Sequence, residues 1–367
     1  MDELSSKVIS FLRFPLAVGI VFLHTAIPSI PSDAVWGDGY QVYTWISSFG
    51  SKILCTVCVP AFFFISGYLF FIKVENYSMI DYKKKLQSRF KTLFIPYILW
   101  NSFLVIILLA KQLHGHSFAG VMDVNWLSCY WDYTKASDLH NLWGWPLAIA
   151  YPIDGPLWFI RDLIIASIAS PFIYLWVKYT KWIGICLFGI LYIFSIWPYT
   201  IIFMMANSLF FFSLGGYLGL NKKRLYFLNA NISMVFFFVY LICSILMFYV
   251  RDNCSEPYYQ VCVRMYNLLG VITIFNVAAC LISKKGYKIP SILSNSVFFI
   301  YATHMIYINP VMGHYVVPVL FKGNHYMMLI GQYITVPILT ITFCILLFSL
   351  MKKTCPNVLA VLNGGRL

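Results

Sequence analysis

Apolar residues in this chain arrive in blocks about 20 long, the length a helix needs to cross a hydrocarbon layer. Ten such blocks can be drawn: Val8–Ile30, Ser51–Ile72, Thr92–Ala110, Pro156–Lys178, Trp182–Trp197, Thr200–Leu220, Ile232–Val250, Cys262–Ser283, Ile292–Leu320 and Met327–Met351. Most loops between them are short. The expected fold is all-α: a polytopic transmembrane helical bundle of about ten spans, one integral domain over residues 1–367. Composition agrees, since 60% of residues are hydrophobic and only 11% charged, against about 25% charged in soluble domains.

Charge placement tests the count. Lysine and arginine in short loops mark the cytoplasmic face. With both termini cytoplasmic, ten spans put Lys7, the Lys73–Lys91 group, Lys178 and Lys181, Lys222–Arg224, Lys284–Lys288 and Lys352, Lys353 and Arg366 on one side. Removing one span would divide these clusters between the two faces. The net charge of +13 therefore reflects membrane orientation, and Lys83-Lys84-Lys85 is not read as a nucleic-acid patch. The first block is longer than a signal-peptide core and lacks a small-residue cleavage site, so it is read as retained. The ten cysteines are mostly scattered. Cys55 and Cys58 lack a second ligand pair, so no metal site is expected. Cys254 and Cys262 flank one loop, where pairing or free thiols both remain open.

Several residues resist a purely apolar account. Ionisable groups inside a span are costly and point to function. Arg13 and His24 are eleven residues apart, which at 100° per residue is 20° past three turns. They share one helix face, about 16 Å apart at 1.5 Å per residue. Snorkelling for Arg13 and a structural hydrogen bond for His24 are the plain alternatives. Arg161 and Asp162 open the fourth block. Adjacent helix positions diverge, so each is expected to find a partner elsewhere; an interfacial anchor beside Trp158 is the other reading. Tyr301 and His304 share a face at i, i+3, shortly before Pro310 breaks the ninth block. Lys85 and Arg89, at i, i+4, form a basic ridge with Lys91 leading into the third block. The ridge is either ordinary anchoring or a site for a phosphate-bearing ligand.

In order along the chain stand Phe11-Leu12-Arg13-Phe14 to His24, Val59-Pro60-Ala61-Phe62-Phe63-Phe64-Ile65-Ser66-Gly67-Tyr68, Lys85 through Arg89 to Phe94-Ile95-Pro96-Tyr97, Pro156-Leu157-Trp158-Phe159, and Ser296 through Tyr301 to His304. This series resembles the membrane acyltransferase 3 family over nearly the whole chain. In the basic motif, family members often carry two arginines, whereas here Lys85, Arg89 and Lys91 stand. The resemblance implies a multi-pass enzyme of the bacterial cell (inner) membrane. Its expected reaction moves an acyl group, most often acetyl, from cytoplasmic acyl-CoA to a hydroxyl of a glycan or glycolipid acceptor. No tightly bound cofactor is implied. For that reaction His24 has the chemistry of a general base, a histidine-bound acyl intermediate being the open alternative, with Arg13, His304 and Arg161 around the chemistry. Lys85, Arg89, Lys91, Asn101, Ser66, Trp158 and Tyr301 form the expected donor-binding set. The loop Lys111–Asp154 is a candidate acceptor platform. A transporter or flippase for a polysaccharide precursor fits the buried charge and Pro-broken spans on physical grounds alone.

Overall fold

The computed structural model describes residues 2–25, 38–75, 77–114, 127–132, 134–136, 149–196, 205–226, 230–285, 287, 289–308, 311–312, 316–320 and 325–367. Among them the architecture is a bundle of helices, with one three-residue antiparallel ladder, β1 (Thr134–Ala136) with β2 (Ile149–Tyr151). Among the described residues seven helical stretches are long and apolar enough to cross a membrane, one of them the Ser170–Phe194 stretch that bends at Lys181, and the chain is a multi-pass membrane protein.

Helix α1 is Glu3–Thr25 and α2 is Asp38–Ser47; π- and 3-10 turns carry the chain into α3, Cys58–Phe71. The irregular stretch is pinned where Ser51 donates to the Phe22 carbonyl at 2.6 Å and sits 3.1 Å from the Tyr333 hydroxyl. Next come the amphipathic α4 (Met79–Arg89), a π-turn (Phe90–Phe94) and α5 (Ile95–His114). A full capping box at Ser78 and Asp81 starts α4, which satisfies two orphan N–H groups at its first turn.

The fourth and fifth blocks fold differently from two plain spans. They appear as α6 (Trp158–Ile168) and α7 (Ser170–Phe194), with Lys181 inside α7 at φ 53°. Trp176 and Phe188 stack with centroids 5.1 Å apart. Twelve residues of straight helix would hold them about 18 Å apart, so the chain reverses at Lys181 and α7 is a helical hairpin. The division expected near Trp197-Pro198 lies outside the described residues, as do Pro310 and most of the loop before Asp154. The remaining helices are α8 (Ala206–Leu220), α9 (Ala230–Asn253), α10 (Glu256–Lys285), α11 (Ser291–Thr303), α12 (Val317–Leu320), α13 (His325–Thr354) and α14 (Pro356–Leu362). Cys254 and Cys262 are both free thiols.

The core is organised by the contact of α3 with α8. A Cβ on Gly67 would lie 1.9 Å from the Phe212 carbonyl oxygen, and one on Gly215 would lie 2.0 Å from that of Phe64. Two backbones touch because neither residue has a side chain, the usual way helices associate in lipid. Phe63, Phe70, Phe71, Phe211 and Phe212 fill the space around that seam and are fully buried. This fixes α3, and with it the face that carries Phe62, Ser66 and Leu69.

Candidate active site

One cavity, of about 160 Å³, receives those three residues of α3. Arg13 of α1 and Arg89 of α4 also line it, and Tyr301 of α11 closes one side. The other walls are mostly apolar residues of α6 and α11, together with Ser294 and Arg366. The volume is well below the 300–1,000 Å³ that encloses a drug-sized molecule, so the space suits one end of a longer ligand.

Eleven residues further along α1, His24 meets His304. Their ring centroids are 5.3 Å apart, and His304 is fully buried. α11 ends at Thr303, and a π-turn begins at His304. There Nδ1 of the ring lies 2.8 Å from the Tyr301 carbonyl and 3.2 Å from that of Ile300. Both partners are acceptors, so Nδ1 must carry the proton. Nε2 is then a bare lone pair, and it has no hydrogen-bond partner among the described residues. A neutral imidazole with a fixed tautomer and an uncommitted Nε2 is the form that accepts a proton in catalysis. Tyr301 links the two regions: it lines the cavity, and its ring is 6.2 Å from that of His304. Its hydroxyl donates to the Pro156 carbonyl.

Arg161 and Asp162 do pair with each other, contrary to the expectation from helix geometry. Arg161 Nη2 is 3.2 Å and Nε 3.3 Å from Asp162 Oδ1. The long guanidinium arm folds back along the helix, which Cβ directions alone do not capture. Each also has the distant partners that were expected. Arg161 Nη1 donates to the Trp131 carbonyl at 2.7 Å, and Asp162 Oδ2 accepts from the Met205 N–H at 3.0 Å and from the Ser208 hydroxyl. This buried network ties α6 to the start of α8. Arg161→Ala would strand the Asp162 carboxylate, a loss of about 3–5 kcal/mol for a broken buried pair. The expected outcome is a lower melting temperature and yield in detergent. A lost activity with unchanged melting would instead place Arg161 in the chemistry.

The donor set divides. Ser66, Arg89 and Tyr301 line the cavity, whereas Lys85, Lys91, Asn101 and Trp158 do not. Lys85 donates to the Phe70 carbonyl at 2.5 Å and lies over the Phe70 ring. It faces a separate shallow depression with Lys73, Lys84 and Asp81. Arg89 also lies over the Phe70 ring, yet of the i, i+4 pair only Arg89 lines the cavity. Lys91 is exposed. Asn101 is a brace: its amide donates to the Tyr97 carbonyl at 2.8 Å and its oxygen accepts from the Asp154 N–H at 3.1 Å. Trp158 packs against Phe63 and Tyr151.

Sequence reasoning missed two groups. Arg366 lines the same cavity as Arg13 and Arg89. Asp154 is buried, with neither carboxylate oxygen bonded among the described residues, and burial pushes its carboxyl well above the usual range. The adjoining Gly155-Pro156 turn was the available signal for a fixed loop there. Among the described residues no group of three or more metal-binding side chains assembles.

The succinoglycan biosynthesis protein ExoH of Rhizobium meliloti (strain 1021) is 26% identical over 382 residues, covering 100% of this chain and 94% of the relative. No solved structure matches. A family model described as an acyltransferase domain matches residues 7–349. From Lys7 to Ser349, then, the helices that hold the arginine cavity and the histidine pair are those of one domain type, and the chain belongs to the membrane acyltransferase 3 family, as an O-acyltransferase.

Proposed function

We propose that this enzyme moves an acyl group, acetyl in the first instance, from cytoplasmic acyl-CoA to a hydroxyl of a cell-surface polysaccharide or glycolipid in a bacterial inner membrane. One observation carries the reading. His24, half-buried, packs its ring against that of the buried His304, and the eleven-residue step along α1 puts His24 on the face of Arg13, which lines the cavity. The name of the relative, a succinoglycan biosynthesis protein, supports a polysaccharide acceptor. Ten crossings with both ends cytoplasmic put the arginine cavity at the cytoplasmic mouth.

The chemistry follows from the parts. Guanidinium groups bind phosphate oxygens bidentately, so Arg13 and Arg89 hold the phosphates of the donor. Its thin thioester-bearing arm runs along α1 toward His24. His24 takes the proton from the acceptor hydroxyl, with the His304 Nε2 lone pair alongside to receive a hydrogen bond. The hydroxyl oxygen bonds to the thioester carbonyl carbon, and the carbon–sulfur bond breaks. The thiolate leaves with the proton that the histidine returns, so no redox partner is required.

Detergent-purified protein is expected to bind acetyl-CoA and to hydrolyse it slowly without acceptor. Arg89→Gln should weaken binding about tenfold, and Lys85→Gln by less than about threefold, since only the first lines the cavity; one charge-assisted hydrogen bond is worth about 1.5–3 kcal/mol. Binding unaffected by Arg89→Gln would sink the donor site. Failure of the protein to bind any acyl-CoA would favour a transporter of polysaccharide precursors.

A further inference from the structure

We infer that Arg366, in the short segment after α14, is a third phosphate ligand of the donor site and acts as a clamp over it; this rests on the donor reading just given.

The segment is built to return to the cavity. Trp100 of α5 donates its indole N–H to the Leu362 carbonyl at 3.1 Å, which seats the end of α14. Asn363 is fully buried and donates to the Asn295 carbonyl at 3.1 Å, while Asn295 donates back to the Leu367 carbonyl at 2.6 Å. Between these anchors Gly364 and Gly365 have φ of +61° and +79°, a conformation that glycine adopts without a steric cost. A Cβ on Gly364 would lie 2.3 Å from the Thr92 carbonyl oxygen. The turn therefore presses directly on the π-turn that follows Arg89.

The result is a concentration of like charge. Arg366 Nη1 donates to the Asn363 carbonyl at 2.9 Å and reaches the Thr92 carbonyl at 3.4 Å. Its guanidinium lies over the Phe298 ring, 4.8 Å from the centroid. Arg13 and Arg89 are both close enough for their charges to act on it. Three arginines thus line one small cavity with Ser66 and Ser294, and among the described residues no aspartate or glutamate lines it. Clustered cations without a carboxylate repel one another, and an anion removes that repulsion. Three guanidinium groups match a ligand with two or more negative charges, such as a phosphomonoester or a pyrophosphate. The carbonyl bonds use one nitrogen of Arg366 and leave its other N–H donors for phosphate oxygens.

The test uses the full chain in detergent and compares the wild type with Arg366→Gln, Arg366→Lys and Arg89→Gln. Titrations with coenzyme A and with phosphate-free pantetheine are run side by side. Arg366→Gln is expected to weaken coenzyme A about tenfold and leave pantetheine affinity within about twofold. Arg366→Lys, which keeps charge but not the fork, should recover part of the loss, and inorganic pyrophosphate should displace coenzyme A more poorly from the glutamine variant. If Arg89→Gln weakens coenzyme A while Arg366→Gln does not, the clamp is overturned and the donor site stands. If neither variant weakens it, both readings fall together. Equal weakening of pantetheine and coenzyme A by Arg366→Gln would make the arginine a tail anchor only, and would overturn the inference.

Discussion

His304→Asn is expected to lower acyl transfer by up to about 10²–10⁴-fold, the usual worth of a general base, because it removes the group that supports His24, while the protein still folds. Asparagine is chosen because its amide nitrogen falls near the place of Nδ1. It can keep the bond to the Tyr301 carbonyl that the ring makes at 2.8 Å. What it removes is Nε2, the buried nitrogen with no hydrogen bond among the described residues. His24→Ala should cost a similar factor, and the double variant little more than either single one, because groups that act as a unit are not additive. The measurement is acylated glycan per unit of folded protein, by mass spectrometry of the surface polysaccharide. A His304→Asn protein with more than about a tenth of wild-type transfer would remove His304 from the reaction and leave His24 alone.

Gly67→Val should have the largest effect on folding. The first atom of any side chain there meets the Phe212 carbonyl at 1.9 Å, and the obstacle is backbone, which cannot rotate aside. Overpacking of this kind costs about 3 kcal/mol or more. α3 must then separate from α8, and the wall bearing Phe62, Ser66 and Leu69 moves with it. The expected result is loss of monodisperse protein on gel filtration and a sharply lower melting temperature. Gly155→Ala is the matched control, since a Cβ there meets nothing within 4 Å. Equal damage from both substitutions would show that the α3–α8 seam is not what holds the bundle.

The membrane class, the all-helical architecture and the main histidines were legible because each depends on local pattern. Block length gives a crossing helix, and the 100° step puts Arg13 and His24 on one face. The pairing of His24 with His304 was not legible. It joins residues 280 positions apart, and nothing local to either specifies the other. The split of the basic ridge was hidden for a different reason. Lys85 and Arg89 do share a helix face and both lie over the Phe70 ring of another helix, yet only Arg89 lines the cavity. Arg366 looked like one more positive charge beside a membrane helix, and only the Gly364-Gly365 turn distinguishes it. The hairpin in α7 was half visible, since Lys178 and Lys181 marked a break between blocks, but the left-handed backbone of Lys181 is a tertiary choice that lysine itself does not favour.

The π-turn that opens at His304 has an evolutionary reading. Such turns occur mostly as single bulges inside α-helices, often at functional sites, and a bulge holds one residue more than the regular ladder around it. At this one the ladder slips and the Tyr301 carbonyl is taken by the imidazole ring. A one-codon insertion in a plain helix would be enough to create both the bulge and the tautomer lock. In that sense the Nε2 that stands beside the catalytic base is a product of helix length as much as of the choice of histidine.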